Sequence, residues 1–187
     1  MADLGVSPRT PLRAAPIIET ERLRLRPHAA TDLDALVAMW GDPVVMRHIL
    51  GRPSTREESW SRLLRYAGHW SLMGFGFWAM EEKGGTTFVG EVGLAEFQRQ
   101  MEPTFDGDPE AGWVLSQAAH GKGYATEAMR AVVAWADREL GCRTGCIVAS
   151  ENVASIRVAE KVGFSEWQRT AYKDESLIMF RRPTGRR

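Results

Sequence analysis

The sequence predicts a single mixed α/β domain, a sheet flanked by helices placed before, within and late in the chain. Three observations carry that reading. Residues 17–26, IIETERLRLR, alternate apolar with charged side chains from Glu19 onward, the period of a half-buried strand. Capping signals, among them S-T-R-E at 54–57, open helices in the first third of the chain. From Phe75 the period changes to short apolar runs bounded by glycines, with two helical stretches interleaved among them.

In chain order, residues 1–16 carry Asp3, Arg9 and Arg13 among Pro8, Pro11 and Pro16 and read as a disordered lead-in, leaving 17–183 as one domain. Residues 17–26 are the first strand. Thr31-Asp32-Leu33-Asp34 reads as an N-cap with an acidic third position, opening a helix to Trp40. Asp42-Pro43 restarts the chain as cap plus first-turn proline, for a short helix to Ile49. The box at 54–57 opens a helix to Leu72. Strands at 75–80 and 87–97 flank the turn chemistry of Lys83-Gly84-Gly85-Thr86, and Gly90 and Gly93 interrupt the second. After a polar loop at 98–109, residues 110–115 are a strand. Ala125, Ala128, Met129, Val132, Val133 and Ala136 share one helical face as far as Gly141. Residues 142–149 are a strand, and Asn152 starts a helix that Gly163 closes, with Phe164 as its hydrophobic contact. Residues 167–172 and 177–180 form a closing strand pair around Lys173-Asp174.

Composition narrows the partners. The 24 basic residues balance 24 acidic ones, so neither nucleic acid nor an anionic membrane is expected as the main partner. The basic end at 181–187 reads as a short solvated tail. No run approaches the ~18 apolar residues that span a bilayer. With no secretory apolar core at the start and two cysteines, the expected compartment is the cytoplasm. Cys142 and Cys146 lie in a strand without the further ligands a zinc site needs, and read as inert thiols; no metal is expected.

Residues 121–126, Gly-Lys-Gly-Tyr-Ala-Thr, stand between a strand and an amphipathic helix. A helix leaves its first N–H groups unsatisfied and concentrates partial positive charge there. Gly121 and Gly123 allow a sharp turn and close approach of phosphate oxygens, and Lys122 adds a cation, so the turn suits a diphosphate. It is neither a dinucleotide fingerprint, because Thr126 replaces the third glycine, nor a P-loop, because Tyr124 follows Gly123. On spacing alone, an unliganded strand-to-helix turn is an equal reading.

The residues around that turn carry more than spacing. EAGWVLSQAAHGKGYATEAMRAVVAWA (110–136), with SENVASIRVAEKVGF (150–164), TERLRLRP (20–27) and VGEVGL (89–94), resembles the GNAT superfamily of N-acetyltransferases, in the branch that includes ribosomal-protein N-terminal-alanine acetyltransferases. The resemblance implies a GNAT-like splayed, mostly antiparallel twisted sheet, with acetyl-CoA as co-substrate in the splay. It implies pantetheine pairing along Val114 and Leu115, and diphosphate on the backbone of Gly121, Lys122, Gly123, Tyr124, Ala125 and Thr126. Ala118 occupies the family's usual Gln/Arg position, which leaves the backbone cradle intact. His120 reads as a packing position. Asn152 and Ser155, one helical turn apart, are implied to face the pantetheine arm and thioester, with Ser155 near the departing sulfur as a hydrogen-bond donor or general acid.

Acetyl transfer to an amine needs a general base, a proton for the leaving thiolate, and an N–H donor for the thioester oxygen. Glu110 is the first choice for the base, ahead of Glu91, Asp174 and Glu175; Tyr172 is the reserve proton donor. Trp60, Tyr66, Trp70, Phe75 and Phe77 are either core or the lining of an acceptor slot. The acceptor implied by the branch is a protein N-terminus or a small amine, and a homodimer is compatible with the exposed aromatics. The alternative function is a non-catalytic acyl-CoA-binding sensor of the same fold.

Overall fold

A computed structural model describes residues 15–49, 51–172 and 175–185. Most of the expected lead-in and the Lys173-Asp174 turn lie outside the described residues. Ala15 is buried, and the Pro16 carbonyl accepts a 2.7 Å hydrogen bond from Trp78 Nε1, so packing against the core is already under way at the end of the segment expected to be a lead-in.

The first predicted strand is two. β1 (Ile18–Glu19) and β2 (Leu23–Arg26) pair antiparallel, with Ile18 opposite Leu25. The alternating pattern is broken by Thr20, whose N–H bonds the Leu23 carbonyl and whose hydroxyl oxygen accepts from the Leu23 N–H, folding the chain back on itself. A 3-10 turn (Ala30–Asp32) leads into α1 (Leu33–Trp40). The cap there is Ala29 rather than Thr31: Asp32 accepts from the Ala29 N–H at 2.8 Å while Arg26 grips the same carboxylate through two nitrogens. α2 (Pro43–Met46) is capped by Asp42, as the sequence predicts, but ends before Ile49.

α3 (Arg56–Met73) starts from a capping box one residue later than expected, formed by Thr55 and Glu58. Ser54 is buried, and its N–H is taken by the Trp40 carbonyl at 2.8 Å, which leaves Thr55 to cap. Gly74, at φ 73°, ends the helix in the left-handed conformation.

β3 (Phe77–Glu82), β4 (Phe88–Ala95) and β5 (Glu110–Leu115) form a meander, followed by α4 (Tyr124–Glu139), β6 (Thr144–Ala149), α5 (Val153–Val162), β7 (Ser165–Tyr172) and β8 (Glu175–Arg182). The last two strands run longer than predicted. Arg181 and Arg182 therefore belong to the sheet instead of a solvated tail. Arg181 stacks 3.5 Å from the Trp167 ring centroid and bonds Asp106, and Arg182 forks onto Asp137 at 2.7 and 2.8 Å.

Among the described residues, eight strands form one sheet in the order β1-β2-β3-β4-β5-β6-β8-β7. Every neighbouring pair is antiparallel except β5 and β6, which run parallel and share the single register pair Glu110–Gly145. From there they part, and the sheet is open at its centre. On one face, Trp70, Trp78 and Trp135 meet edge to face with centroids 4.6–5.5 Å apart and tie α3, β3 and α4 into the core. Such pairs add about 0.5–1.5 kcal/mol each beyond the area they bury. Trp70 and Phe75 both belong to the buried core cluster and do not line the cavity described below. Cys146 is buried in β6, where burial first and the nearby Glu110 second push its thiol up, away from the reactive thiolate.

Candidate active site

The opening between β5 and β6 continues into a cavity of about 430 Å³. Of the residues singled out from the sequence, Glu91, Glu110, Val114, Asn152, Ser155, Tyr172 and Glu175 all line it, with Tyr66 and Phe77 from the proposed slot. Leu115 and the turn 121–126 do not line it. Asp174 lies outside the described residues.

Glu91 sits at the middle of β4, with no exposed surface. Its glycine neighbours explain how a strand brings a carboxylate there. A Cβ on Gly90 would stand 2.3 Å from the Val114 carbonyl oxygen, and one on Gly93 would stand 2.4 Å from the Phe77 Cα. Only glycines let β4 lie this close to β3 and β5. Glu91 Oε1 accepts a 3.2 Å bond from Trp40 Nε1 and a short one from the Tyr66 hydroxyl, while Oε2 is buried without a hydrogen-bond partner among the described residues. Burial dominates and raises its pKa to about 7, opposed by the Tyr66 bond, the Arg62 charge and the Trp40 bond. Tyr66 is itself held between two rings, stacked on His28 at 4.9 Å and on Phe77 at 4.8 Å. Burial lowers His28 to about 4, so it packs as a neutral ring.

Glu110, by contrast, is engaged. Arg99 Nε and Nη2 each donate to it at 2.8 Å, a two-pronged ion pair at the point where β5 and β6 part. At the other side of the opening, Asn152 caps α5: its side-chain oxygen accepts from the Ser155 N–H at 3.1 Å, which fixes the first turn and sets the Ser155 side chain on the cavity. Arg99 lies 5.9 Å from the ring centroid of Tyr172.

The glycine turn follows the parted end of β5. His120 is exposed instead of packed in the core, and its Nε2 bonds the Leu115 carbonyl at 3.0 Å. Gly121 and Gly123 have φ of 74° and 80°, and Gly123 is the N-cap of α4 with no side-chain cap. The first N–H groups of α4 have no intrahelical acceptor, and a Cβ at Gly121 would meet nothing, so the turn is bare and open. Tyr124 is buried, with its hydroxyl on Glu82, and offers the turn its backbone alone.

A clasp that sequence reasoning missed holds this turn. Glu127 in the first turn of α4 accepts from the Thr20 hydroxyl, the Arg22 N–H at 2.8 Å and Arg22 Nε at 2.7 Å. Arg22 Nη1 reaches the Lys122 carbonyl at 2.9 Å, and its guanidinium lies 4.8 Å from the Tyr124 ring centroid. The TER of β1–β2 and the YATE of α4 are thus one unit, and the signal for it in the sequence is that both lie in stretches resembling the family. Trp40 and Arg62 were missed as well; their one local signal is that Arg62 precedes Tyr66 by one helical turn. Arg62 stacks over Trp40 at 3.4 Å.

This architecture has clear relatives. The family model of the acetyltransferase (GNAT) domain matches residues 22–165. YoaA of Bacillus subtilis, named an uncharacterized N-acetyltransferase, is 29% identical over 156 residues, covering 81% of this chain and 84% of its own. A GnaT-family acetyltransferase from Bordetella pertussis superposes with a TM-score of 0.80 at 30% identity, over 90% of this chain and 99% of that one. RimL, a ribosomal L7/L12 α-N-protein acetyltransferase solved with coenzyme A, shares the fold with a TM-score of 0.74 at 16% identity, over 90% and 98% of the two chains. The chain belongs to the GNAT acetyltransferase family.

Proposed function

We propose that the chain is an acetyl-CoA-dependent N-acetyltransferase that passes the acetyl group directly to a primary amine, with Glu91 as general base. One observation carries this reading: a buried carboxylate in the cavity wall, raised to about 7, with one oxygen held by Trp40 and Tyr66 and the other without a hydrogen-bond partner among the described residues. A base that titrates near working pH is the one best matched to removing a proton from an ammonium. The Arg99 fork leaves Glu110 as the structural partner that fixes where β5 meets β6.

The residues fit acetyl-CoA. Two left-handed glycines and an uncapped helix start make a cradle for a diphosphate. In this reading Gly121, Lys122, Gly123, Tyr124, Ala125 and Thr126 hold the diphosphate, and Val114 and Leu115 offer backbone to the pantetheine arm. When bound, acetyl-CoA supplies the activated acyl group. Asn152 orients the turn that carries Ser155, and Ser155 Oγ is the proton donor, with Tyr172 in reserve. The acceptor is a small amine or a protein N-terminus, and the setting is the cytoplasm, in keeping with two free cysteines.

The test is the melting temperature with acetyl-CoA, with ATP and NADH as controls, followed by free-thiol release with amine acceptors. A ligand at ~100 times its dissociation constant adds about 2.7 kcal/mol, or about 5–10 °C for a chain of this size. No rise at millimolar acetyl-CoA overturns the proposal.

A further inference from the structure

Two residues that line the cavity each carry an unpartnered buried atom, and they are of opposite charge. Glu91 Oε2 and Arg62 Nη1 are each buried without a hydrogen-bond partner among the described residues, and both side chains line the same space. Leaving a buried polar atom unpaired is costly, and more so for a charged one, so two such atoms on residues that line one cavity point to a guest of matching chemistry beside them. Arg62 is fixed in place. Its guanidinium lies flat on Trp40 at 3.4 Å, and Trp40 in turn bonds Glu91, so base and cation share one rigid support. Arg65 and Arg99 also line the cavity; Arg99 is taken up by Glu110, which leaves Arg62 and Arg65 available.

We infer that the acceptor is an amine carrying its own carboxylate close to the nucleophilic nitrogen, a free α-amino acid or close analogue, with its ammonium set against Glu91 and its carboxylate against Arg62. This rests on the acetyltransferase reading and names its substrate class. A zwitterion satisfies both orphaned atoms at once. A neutral amine leaves Arg62 unpaired, and a polyamine brings further positive charge among the guanidiniums. The volume, about 430 Å³, also admits the acyl end of the donor, which leaves room for a small acceptor. The exchange balances: one thioester C–S bond breaks and one amide N–C bond forms. The ammonium gives up two protons, one to the thiol sulfur and one through Glu91 to solvent.

The experiment compares L-methionine, L-phenylalanine and L-glutamate with their α-amides and decarboxylated amines, beside spermidine and a peptide amide with an acidic second residue. Thiol release gives kcat/KM, and the melting temperature of the CoA-saturated protein reports acceptor binding without turnover. Free amino acids are expected to exceed their amides by about 10- to 100-fold, the worth of a hydrogen-bonded charge pair. Arg62→Met brings that ratio near one, and Arg62→Lys restores part of it; the melting temperature of each variant with acetyl-CoA checks that it is folded. The inference is overturned by a wild-type ratio near one, by equal losses for both acceptor types in Arg62→Met, or by acetylation confined to spermidine or the peptide. It is equally overturned if no amino acid is acetylated or shifts the CoA-bound melting point at millimolar concentration. If acetyl-CoA itself fails to stabilise the protein, the broader acetyltransferase reading falls instead.

Discussion

Replacing Glu91 with glutamine separates what its charge costs the fold from what it does for the reaction. Burial lifts the carboxyl from 4.5 to about 7. The folded-state value lies above the unfolded one, so the folded protein retains a proton that the unfolded chain has lost. The associated stability is complete below about 4.5 and is lost as pH rises through about 7. That gap corresponds to about 3 kcal/mol at 1.36 kcal/mol per pH unit. In Glu91→Gln the Trp40 and Tyr66 bonds keep an acceptor and no charge forms. The variant is therefore expected to be about 3 kcal/mol more stable than wild type at about pH 8.5 and equal to it near pH 4.5. For 187 residues this is about 6–12 °C in melting temperature, followed by circular dichroism across that range. Acetyl transfer falls about 10²- to 10⁴-fold in the same variant, and the wild-type rate rises with pH through an apparent pKa near 7. A melting-point difference that is independent of pH, or absent at high pH, refutes the buried-carboxylate argument. Unchanged transfer refutes the assignment of Glu91 as base.

Other outcomes follow from the same geometry. Gly90→Ala drives a methyl into the Val114 carbonyl and costs about 1–3 kcal/mol or more, read from urea unfolding, with acetyl transfer lost as β4 and β5 separate. Ser155→Ala lowers kcat about 10²-fold while the acetyl-CoA dissociation constant, measured by calorimetry, stays within twofold. Arg22→Met opens the clasp on Glu127 and Lys122 and weakens acetyl-CoA binding in the same calorimetric titration, whereas an exposed ion pair of no consequence leaves it unchanged. Trp135→Ala empties the centre of the tryptophan cluster and destabilises the fold by about 3–5 kcal/mol, seen as a fall in melting temperature of roughly 6–20 °C.

What the sequence revealed and what it hid divide along the distance between interacting residues. Asp42 capping α2, Asn152 capping α5 and Gly163 ending that helix act within one turn of chain, and each was legible. The glycine turn was legible for the same reason. The capping box of α3 slipped by one residue because S-x-x-E and T-x-x-E overlap at 54–58, and the choice fell to the Trp40 carbonyl, from another helix. Arg181 and Arg182 read as a tail because their partners Asp106 and Asp137 lie 75 and 45 residues away. The choice between Glu110 and Glu91 turned on side chains that no local pattern connects: Arg99 in a loop for the one, Trp40 and Tyr66 on separate helices for the other. Both glutamates stand on strands with similar neighbours, and only tertiary packing makes one an ion-pair partner and the other a poised carboxyl.

The single register pair joining β5 to β6 has a consequence for where the sheet keeps its free edges. A strand edge with unpaired peptide groups is a template for any other extended chain. Most sheets carry such edges at their rims, where charge or short length blunts them. Here two more lie inside the molecule, facing each other across a narrowing wedge whose apex is Glu110–Gly145. A slender extended guest bearing amides of its own can zip into the wedge, but the edge of a second folded sheet is too broad to reach its depth. The two inner edges are thus reached only along the wedge, whereas the rim edges of the sheet are open from the side. A substitution at Gly145 or Phe105, whose ring fills the space a Cβ would take there, alters the width of that slot at its hinge.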